Sequence, residues 1–248
     1  LAVFSSDALS STAYATEAIL IALAVAGTAT FWIATPISVG IAVLLITVAF
    51  SYSQTIKAYP QGGGTYVVAR ENLGIVPSLT AASALLIDYI LTVAVSMSAG
   101  VAAITSAWPW LDPYRVELAV ALIGLVTLAN LRGVKESGNM FAIPTYTFVA
   151  SMFVLILTGL YNVATGHVMQ APPPEIPHVP TEVGTLSLFL ILRAFAAGCT
   201  ALTGIEAIAD GVPAFKKPES RNAAITLAIM AALLVTMFLT VALIFLNV

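Results

Sequence analysis

Carboxylate and hydroxyl side chains recur at helical spacing inside long apolar stretches of this chain. Near its N-terminus, Asp7, Ser10, Ser11 and Tyr14 follow one another at intervals that place them on one face of a helix. Ionisable groups inside an apolar helix are costly and usually serve a function. The density of serine and threonine here also weakens helix propensity, so we predict a local break in this helix.

Two acidic residues of this first stripe have more than one interpretation. Asp7 could cap the start of its helix instead of serving a site. Glu17 lies three residues beyond Tyr14 and about a quarter turn around the helix. It could be a site residue or a structural partner of the site.

A second polar stripe lies in a later apolar stretch. Asp88, Thr92 and Ser96 are spaced four residues apart, so they line one face of an otherwise apolar helix. The hydroxyls of Thr92 and Ser96 could bond to their own helix or to a neighbouring helix. Because they share a face with an aspartate, we favour a functional role for the stripe.

A third polar stripe coincides with two glycines. Thr203 and Glu206 lie three residues apart on one helix face, and Asp210 follows one turn later. Gly198 and Gly204 interrupt the same apolar run, and interrupted membrane helices often mark a binding site. This stretch therefore predicts a broken helix with a site at the break.

Taken together, the three stripes offer oxygen ligands and no nearby lysine or histidine. Hard cations prefer such a set, and K⁺ sites replace the hydration shell with oxygens. A low-dielectric site also favours the protonated form of a carboxylate, so the same site could carry a proton. The predicted cation ligands are Asp7, Tyr14, Thr92, Ser96, Thr203 and Glu206, and the predicted proton carriers are Asp7, Glu206 and Asp88.

The composition defines the class of protein that must position these residues. Only 8% of the 248 residues are charged, 60% are apolar, and the mean hydropathy is +1.01. Such a chain is neither a soluble domain nor a disordered one, and it has no basic face for nucleic acid. The single cysteine, Cys199, excludes an internal disulfide, and His167 and His178 are interpreted as solvated loop residues. We predict an all-α polytopic membrane protein without a cofactor.

Seven stretches are long and apolar enough to cross a bilayer. Between the fifth and sixth lies a proline-rich segment, 171–180, which predicts a stiff extended loop. The predicted spans are Ser6–Ala26, Phe31–Ser53, Ser78–Ala107, Val116–Leu131, Met140–Thr165, Gly184–Gly211 and Ala223–Asn247.

The distribution of lysine and arginine predicts the orientation of these spans. If the spans alternate in direction, seven basic residues share one side, the opposite side has only Arg115, and Arg193 lies within a span. The N-terminus is therefore predicted to be cytoplasmic. The seven residues are Lys57, Arg70, Arg132, Lys135, Lys216, Lys217 and Arg221.

The first and sixth spans share features that suggest an internal repeat. Both contain the tripeptide Glu-Ala-Ile and a predicted break, and alternation gives them opposite directions. We therefore predict an inverted repeat, with residues 1–165 as a first five-helix unit and residues 184–248 as the first two helices of a second unit. Both ends of the chain look truncated, so we expect a fragment of a longer protein.

Four motifs resemble the KimA-type potassium importers, which belong to the KUP branch of the amino acid–polyamine–organocation (APC) superfamily. The motifs are FSSDALSSTAYATE at 4–17, YPQGGGTYVVARENLG at 59–74, DYILTVAVS at 88–96 and GCTALTGIEAIADGVPAF at 198–215. The resemblance implies a LeuT-like fold of inverted repeats, a homodimer in the cell membrane, and K⁺ import with protons. It assigns K⁺ coordination to the six predicted ligands.

Other functions remain open at this stage. An amino-acid or polyamine permease of the same superfamily is the main alternative, although Asp7 would repel a substrate carboxylate in the first helix. An intramembrane aspartyl protease would use Asp7 and Asp88 as a pair, but it would leave the helix breaks unexplained. A membrane scaffold without transport activity is a further possibility.

Overall fold

The structure is a computed structural model that describes residues 2–131, 134–166 and 186–247. Every regular element in these ranges is helical. Arg132, both histidines and the proline-rich segment 171–180 lie outside the described residues. The predicted loop conformation of that segment therefore stays a prediction.

Nine α-helices and four short 3₁₀ segments make up the described part of the chain. Pairs of long helices are joined by short connections, and the 3₁₀ segments span Thr28–Ile33, Pro109–Tyr114, Cys199–Leu202 and Val212–Ala214. The α-helices are α1 (Ala2–Ala24), α2 (Ala34–Ala58), α3 (Gly64–Leu73), α4 (Ile75–Ala107), α5 (Arg115–Asn130), α6 (Val134–Thr165), α7 (Leu188–Gly198), α8 (Ala207–Asp210) and α9 (Glu219–Asn247).

Each of the seven predicted spans overlaps one long α-helix, except the sixth, which overlaps both α7 and α8. Five described segments are long and apolar enough to cross a membrane: Ala29–Ala58, Ile75–Ala107, Phe141–Thr165, Leu188–Asp210 and Glu219–Phe245. The other two predicted spans correspond to α1 and α5. Helix α5 has only 16 residues, and the N-terminal half of α1 is rich in hydroxyl side chains and contains Asp7.

The predicted break in the first helix is wrong. Helix α1 runs without interruption from Ala2 to Ala24. Its hydroxyls bond to carbonyls of the same helix: Ser10 and Ser11 both donate to the Asp7 carbonyl, and Thr12 donates to Leu9. Such bonds are compatible with a continuous helix, so the serine-rich sequence does not force the backbone open here.

Two buried clusters hold the bundle together, and each includes residues of the sixth span. One cluster joins α2 to α9 and includes Leu45 and Leu234, while the other includes Ile19, Ile41 and Phe238. These five side chains are fully buried. The clusters fix α1, α2 and α9 around α7 and α8, which carry the third polar stripe.

Gly198, the last residue of α7, allows the closest approach within the second cluster. A Cβ atom at this position would lie 2.5 Å from Ile41 Cδ1 and 2.6 Å from Ile19 Cγ1. A larger residue would force these isoleucine side chains to shift. The glycine therefore lets the end of α7 pack directly against α1 and α2.

Candidate functional site

The sixth span is broken, as the two glycines predict. Helix α7 ends at Gly198, and after a 3₁₀ turn Thr203 adopts an extended conformation with φ −62° and ψ 146°. Gly204 has a φ of +78°, a left-handed conformation that favours glycine. The chain then returns to a helix only for the four residues of α8. Thr203 and Gly204 thus interrupt the backbone hydrogen-bond ladder of the span.

Helix α1 lies directly against this break. A Cβ atom on Gly204 would lie 3.0 Å from Asp7 Oδ2 and 3.0 Å from the backbone nitrogen of Ala8. A side chain at position 204 would therefore collide with α1. The contact places the Asp7 carboxylate at the break.

Four hydroxyls form a continuous chain across three elements. Thr203 Oγ1 lies 2.9 Å from Ser11 Oγ, which lies 3.0 Å from the Tyr14 hydroxyl. The Tyr14 hydroxyl in turn lies 3.3 Å from Ser96 Oγ on α4. This chain of hydroxyls brings together three of the six predicted ligands, each contributed by a different span.

A cavity of about 610 Å³ adjoins the hydroxyl chain. Its polar lining includes Asp7, Thr92 and Ser96, and Gly204 contributes backbone from the break. Five predicted ligands therefore line either this cavity or the hydroxyl chain, and Ser96 belongs to both. Their oxygens could hold a hard cation, whereas the described residues contain no group of three or more histidine, cysteine or acidic side chains that could bind a metal ion.

The sixth predicted ligand, Glu206, has a different partner. Its Oε2 accepts a hydrogen bond of 3.2 Å from the Tyr52 hydroxyl on α2. It lies one turn beyond Thr203 and does not line the cavity. Asp88 is exposed on α4 and is likewise absent from the lining. Neither Glu206 nor Asp88 therefore lines the cavity or belongs to the hydroxyl chain.

A second polar cluster lies beyond the break, where Asp210 ends α8. Asp210 Oδ2 accepts a hydrogen bond of 3.1 Å from the Tyr89 hydroxyl of α4. Tyr52 contacts Thr65 of α3 at 3.3 Å in addition to Glu206. The hydroxyls of Tyr52 and Tyr89 thus donate hydrogen bonds to the carboxylates at the two ends of α8, Glu206 and Asp210.

Sequence reasoning did not assign four of these residues to the site: Ser11, Tyr52, Tyr89 and Asp210. Ser11 and Asp210 carried a signal, because each shares a helix face with predicted ligands. Nothing in the sequence distinguished Tyr52 and Tyr89 from other aromatic residues of membrane helices. Glu17, which the sequence left open as a site residue or a structural partner, is exposed. It borders a groove between α1 and α4 that Tyr14 also lines.

Continuous α-helices surround an interrupted span whose break meets acidic and hydroxyl side chains, an arrangement typical of membrane transport proteins. A family model described as amino acid permease matches residues 1–248. The chain belongs to this family and is a multi-pass membrane protein.

Within the family, the chain is 52% identical over 238 residues to Potassium transporter KimA of Bacillus subtilis (strain 168). The match covers 96% of this chain and 39% of the relative, so this chain spans about two fifths of the relative's length. The resemblance predicted from the four motifs is confirmed.

Proposed function

We propose that this chain forms the cation-binding part of a secondary active transporter that imports K⁺ together with protons. The observation that carries the proposal is the meeting of Asp7 with the hydroxyl chain at the break in the sixth span. An oxygen-lined site in a low-dielectric setting favours a dehydrated hard cation. The relative that matches nearly all of this chain is a potassium transporter.

The ligands fall into a charged and a neutral set. Asp7 supplies the negative charge that balances a monovalent cation, while Tyr14, Ser96 and Thr203 supply neutral oxygens and Thr92 adds another from the cavity wall. Neutral oxygens replace water around K⁺ without binding it too tightly to leave. We assign these five residues to the K⁺ site.

Proton coupling requires carboxylates that can exchange a proton during transport. Asp7 lies at the cation site, whereas Glu206 lies beyond the break with a tyrosine as donor, and Asp88 is exposed on α4. An importer that moves K⁺ and a proton together must hold both at once, so the proton needs a carboxylate other than the one that ligates the cation. We therefore assign Asp7 to the cation and Glu206 and Asp88 to the proton's route.

The proposed topology has a cytoplasmic N-terminus in the cell membrane, as the lysine and arginine distribution indicates. The two units, 1–165 and 184–248, would belong to inverted repeats in a longer chain that acts as a homodimer. Alternating access then requires one repeat to move against the other around the shared site.

An organic solute such as an amino acid is the second candidate substrate. The family is described as amino acid permease, and a cavity of about 610 Å³ is large enough for such a molecule. Against it, α1 is continuous beside the cavity and offers no unpaired backbone N–H groups there for a substrate carboxylate. Asp7 would also repel that carboxylate. We therefore favour the cation.

The test is uptake of radioactive rubidium by the full-length protein in liposomes, with K⁺, Na⁺ and amino acids as competitors. We expect K⁺ to compete and amino acids to have no effect. Asp7→Asn should reduce uptake at least about tenfold, because the loss of one partner from a buried charge pair costs several kcal/mol. Asp112→Asn, a change in an exposed 3₁₀ segment, is the control. Amino-acid uptake without rubidium uptake would refute the proposal.

A further inference from the structure

Ser11 occupies a central position in the hydroxyl chain. Its side chain is fully buried, and its Oγ contacts three oxygens: the Asp7 carbonyl at 3.0 Å, the Tyr14 hydroxyl at 3.0 Å and Thr203 Oγ1 at 2.9 Å. Like Tyr14 and Thr203, it does not line the cavity. Ser11 therefore connects Tyr14, on its own helix, to Thr203 at the break in the sixth span.

The contacts of these hydroxyls outnumber their protons. The four side chains Ser11, Tyr14, Ser96 and Thr203 have one hydroxyl proton each. They make five oxygen–oxygen contacts, because Ser11 also reaches the Asp7 carbonyl and Thr203 also reaches the Thr200 carbonyl at 2.9 Å. In every assignment of the four protons, at least one contact consists of two oxygens without a proton between them.

The geometry favours one location for this unprotonated contact. If Ser11 donates to the carbonyl of Asp7 and Thr203 donates to the carbonyl of Thr200, the two hydroxyls have no proton for each other. Their lone pairs then face each other at 2.9 Å. A nearby positive charge offsets this repulsion, because its electric field stabilises the negative end of both hydroxyl groups.

We propose that Ser11 is a positioning residue that determines which monovalent cation the site accepts, an inference that rests on the proposed function. Tyr14 and Thr203 come from different spans, yet both hydroxyls contact the same Ser11 oxygen. Their separation is therefore fixed by this bridge. Since the spacing of ligating oxygens selects the ionic radius, Ser11 favours K⁺ over the smaller Na⁺ without binding either ion itself.

The chain offers a matched control for this serine. Ser38 on α2 is also fully buried, but its Oγ has no hydrogen-bond partner in the structure. Replacing Ser38 with alanine removes the same atom from a similarly buried position and breaks no hydrogen bond. A general effect of deleting a buried hydroxyl would appear in both variants.

The experiment measures rubidium uptake by the full-length protein in liposomes, with K⁺ and Na⁺ as competitors. We expect Ser11→Ala to reduce the preference for K⁺ over Na⁺ by about fivefold to tenfold, the scale of one lost hydrogen bond. Ser38→Ala should keep the preference of the unmodified protein. Ser11→Cys keeps a side chain of similar size with a weaker donor, and we expect an intermediate preference.

The outcomes separate this inference from the proposed function. If the unmodified protein takes up no rubidium, the proposed function fails. If it does, and Ser11→Ala keeps its ion preference or changes it no more than Ser38→Ala, the role of Ser11 is refuted. Should Ser11→Ala fail to accumulate in the membrane, Ser11→Cys decides, because an unchanged preference in that variant also refutes the role.

Discussion

Tyr89 and Asp210 are joined by a hydrogen bond of 3.1 Å although 121 residues separate them in the sequence. The tyrosine hydroxyl of α4 donates to one oxygen of the carboxylate that ends α8. The other oxygen faces Gly64, the first residue of α3. Asp210 thus connects the C-terminal end of the broken span to two other helices.

We expect Tyr89→Phe to lower the free energy of unfolding by about 1 kcal/mol, because the change removes an exposed hydrogen bond to a half-buried carboxylate. Thermal unfolding of the full-length protein in detergent is the measurement. Tyr146→Phe on α6 is the control, since this tyrosine is also exposed but does not donate to either carboxylate beside α8. Equal midpoints for the two variants would contradict a role for the Tyr89 bond.

We expect Gly64→Ala to be destabilising. Its φ is +37°, and an added Cβ would lie 2.0 Å from Asp210 Oδ1, so the substitution combines backbone strain with a collision. The left-handed conformation alone costs about 1–2 kcal/mol. Gly124→Ala in α5 provides the comparison, because nothing lies within 4 Å of its Cβ position and alanine favours a helix. A Gly64→Ala protein as stable as the Gly124→Ala protein would show that Asp210 does not pack there.

A double-mutant cycle tests the close approach at Gly198. We expect Gly198→Ala to cost about 1–3 kcal/mol, since its Cβ would overlap Ile41 Cδ1. Ile41→Val removes that atom, so the double variant should recover part of the loss. The quantity to measure is the coupling energy from unfolding of all four proteins. Strict additivity would mean that the two residues do not share this contact.

Membrane orientation is testable with impermeant thiol reagents on a cysteine-free background of the full-length protein. Lys217→Cys should react only from the cytoplasmic side, and Asp112→Cys only from outside. Both residues are exposed, so access to the reagent depends on the side of the membrane. The reverse pattern would overturn the orientation that the basic residues predict.

Much of the site follows from helical periodicity in the sequence. Tyr14, Ser96 and Thr203 were predicted from stripes on separate helices, and the structure joins their hydroxyls. Gly198 and Gly204 marked the break in the sixth span because glycine weakens a helix and permits a positive φ. Periodicity succeeds here because an apolar helix has few reasons to retain polar residues on one face.

The remaining features depend on tertiary contacts that spacing does not encode. Helix α1 is continuous because the Ser10 and Ser11 hydroxyls donate to a carbonyl of the same helix and leave its backbone hydrogen bonds in place. A serine-rich composition is equally compatible with hydroxyls that compete with the backbone and break the helix. The contact of Ser11 with Thr203 spans 192 residues. Glu206 meets a tyrosine of α2, a partner that its own helix does not reveal.

The conformation of Gly204 also bears on natural sequence variation. Every missense change adds a Cβ at this position, where φ is +78° and the backbone of α1 lies 3.0 Å away. Any other amino acid, whatever its polarity, would combine a strained backbone conformation with a contact that requires α1 to shift. We therefore expect position 204 to be nearly invariant in homologues that keep this break, and to show far less drift than exposed positions such as Leu86 and Ile90.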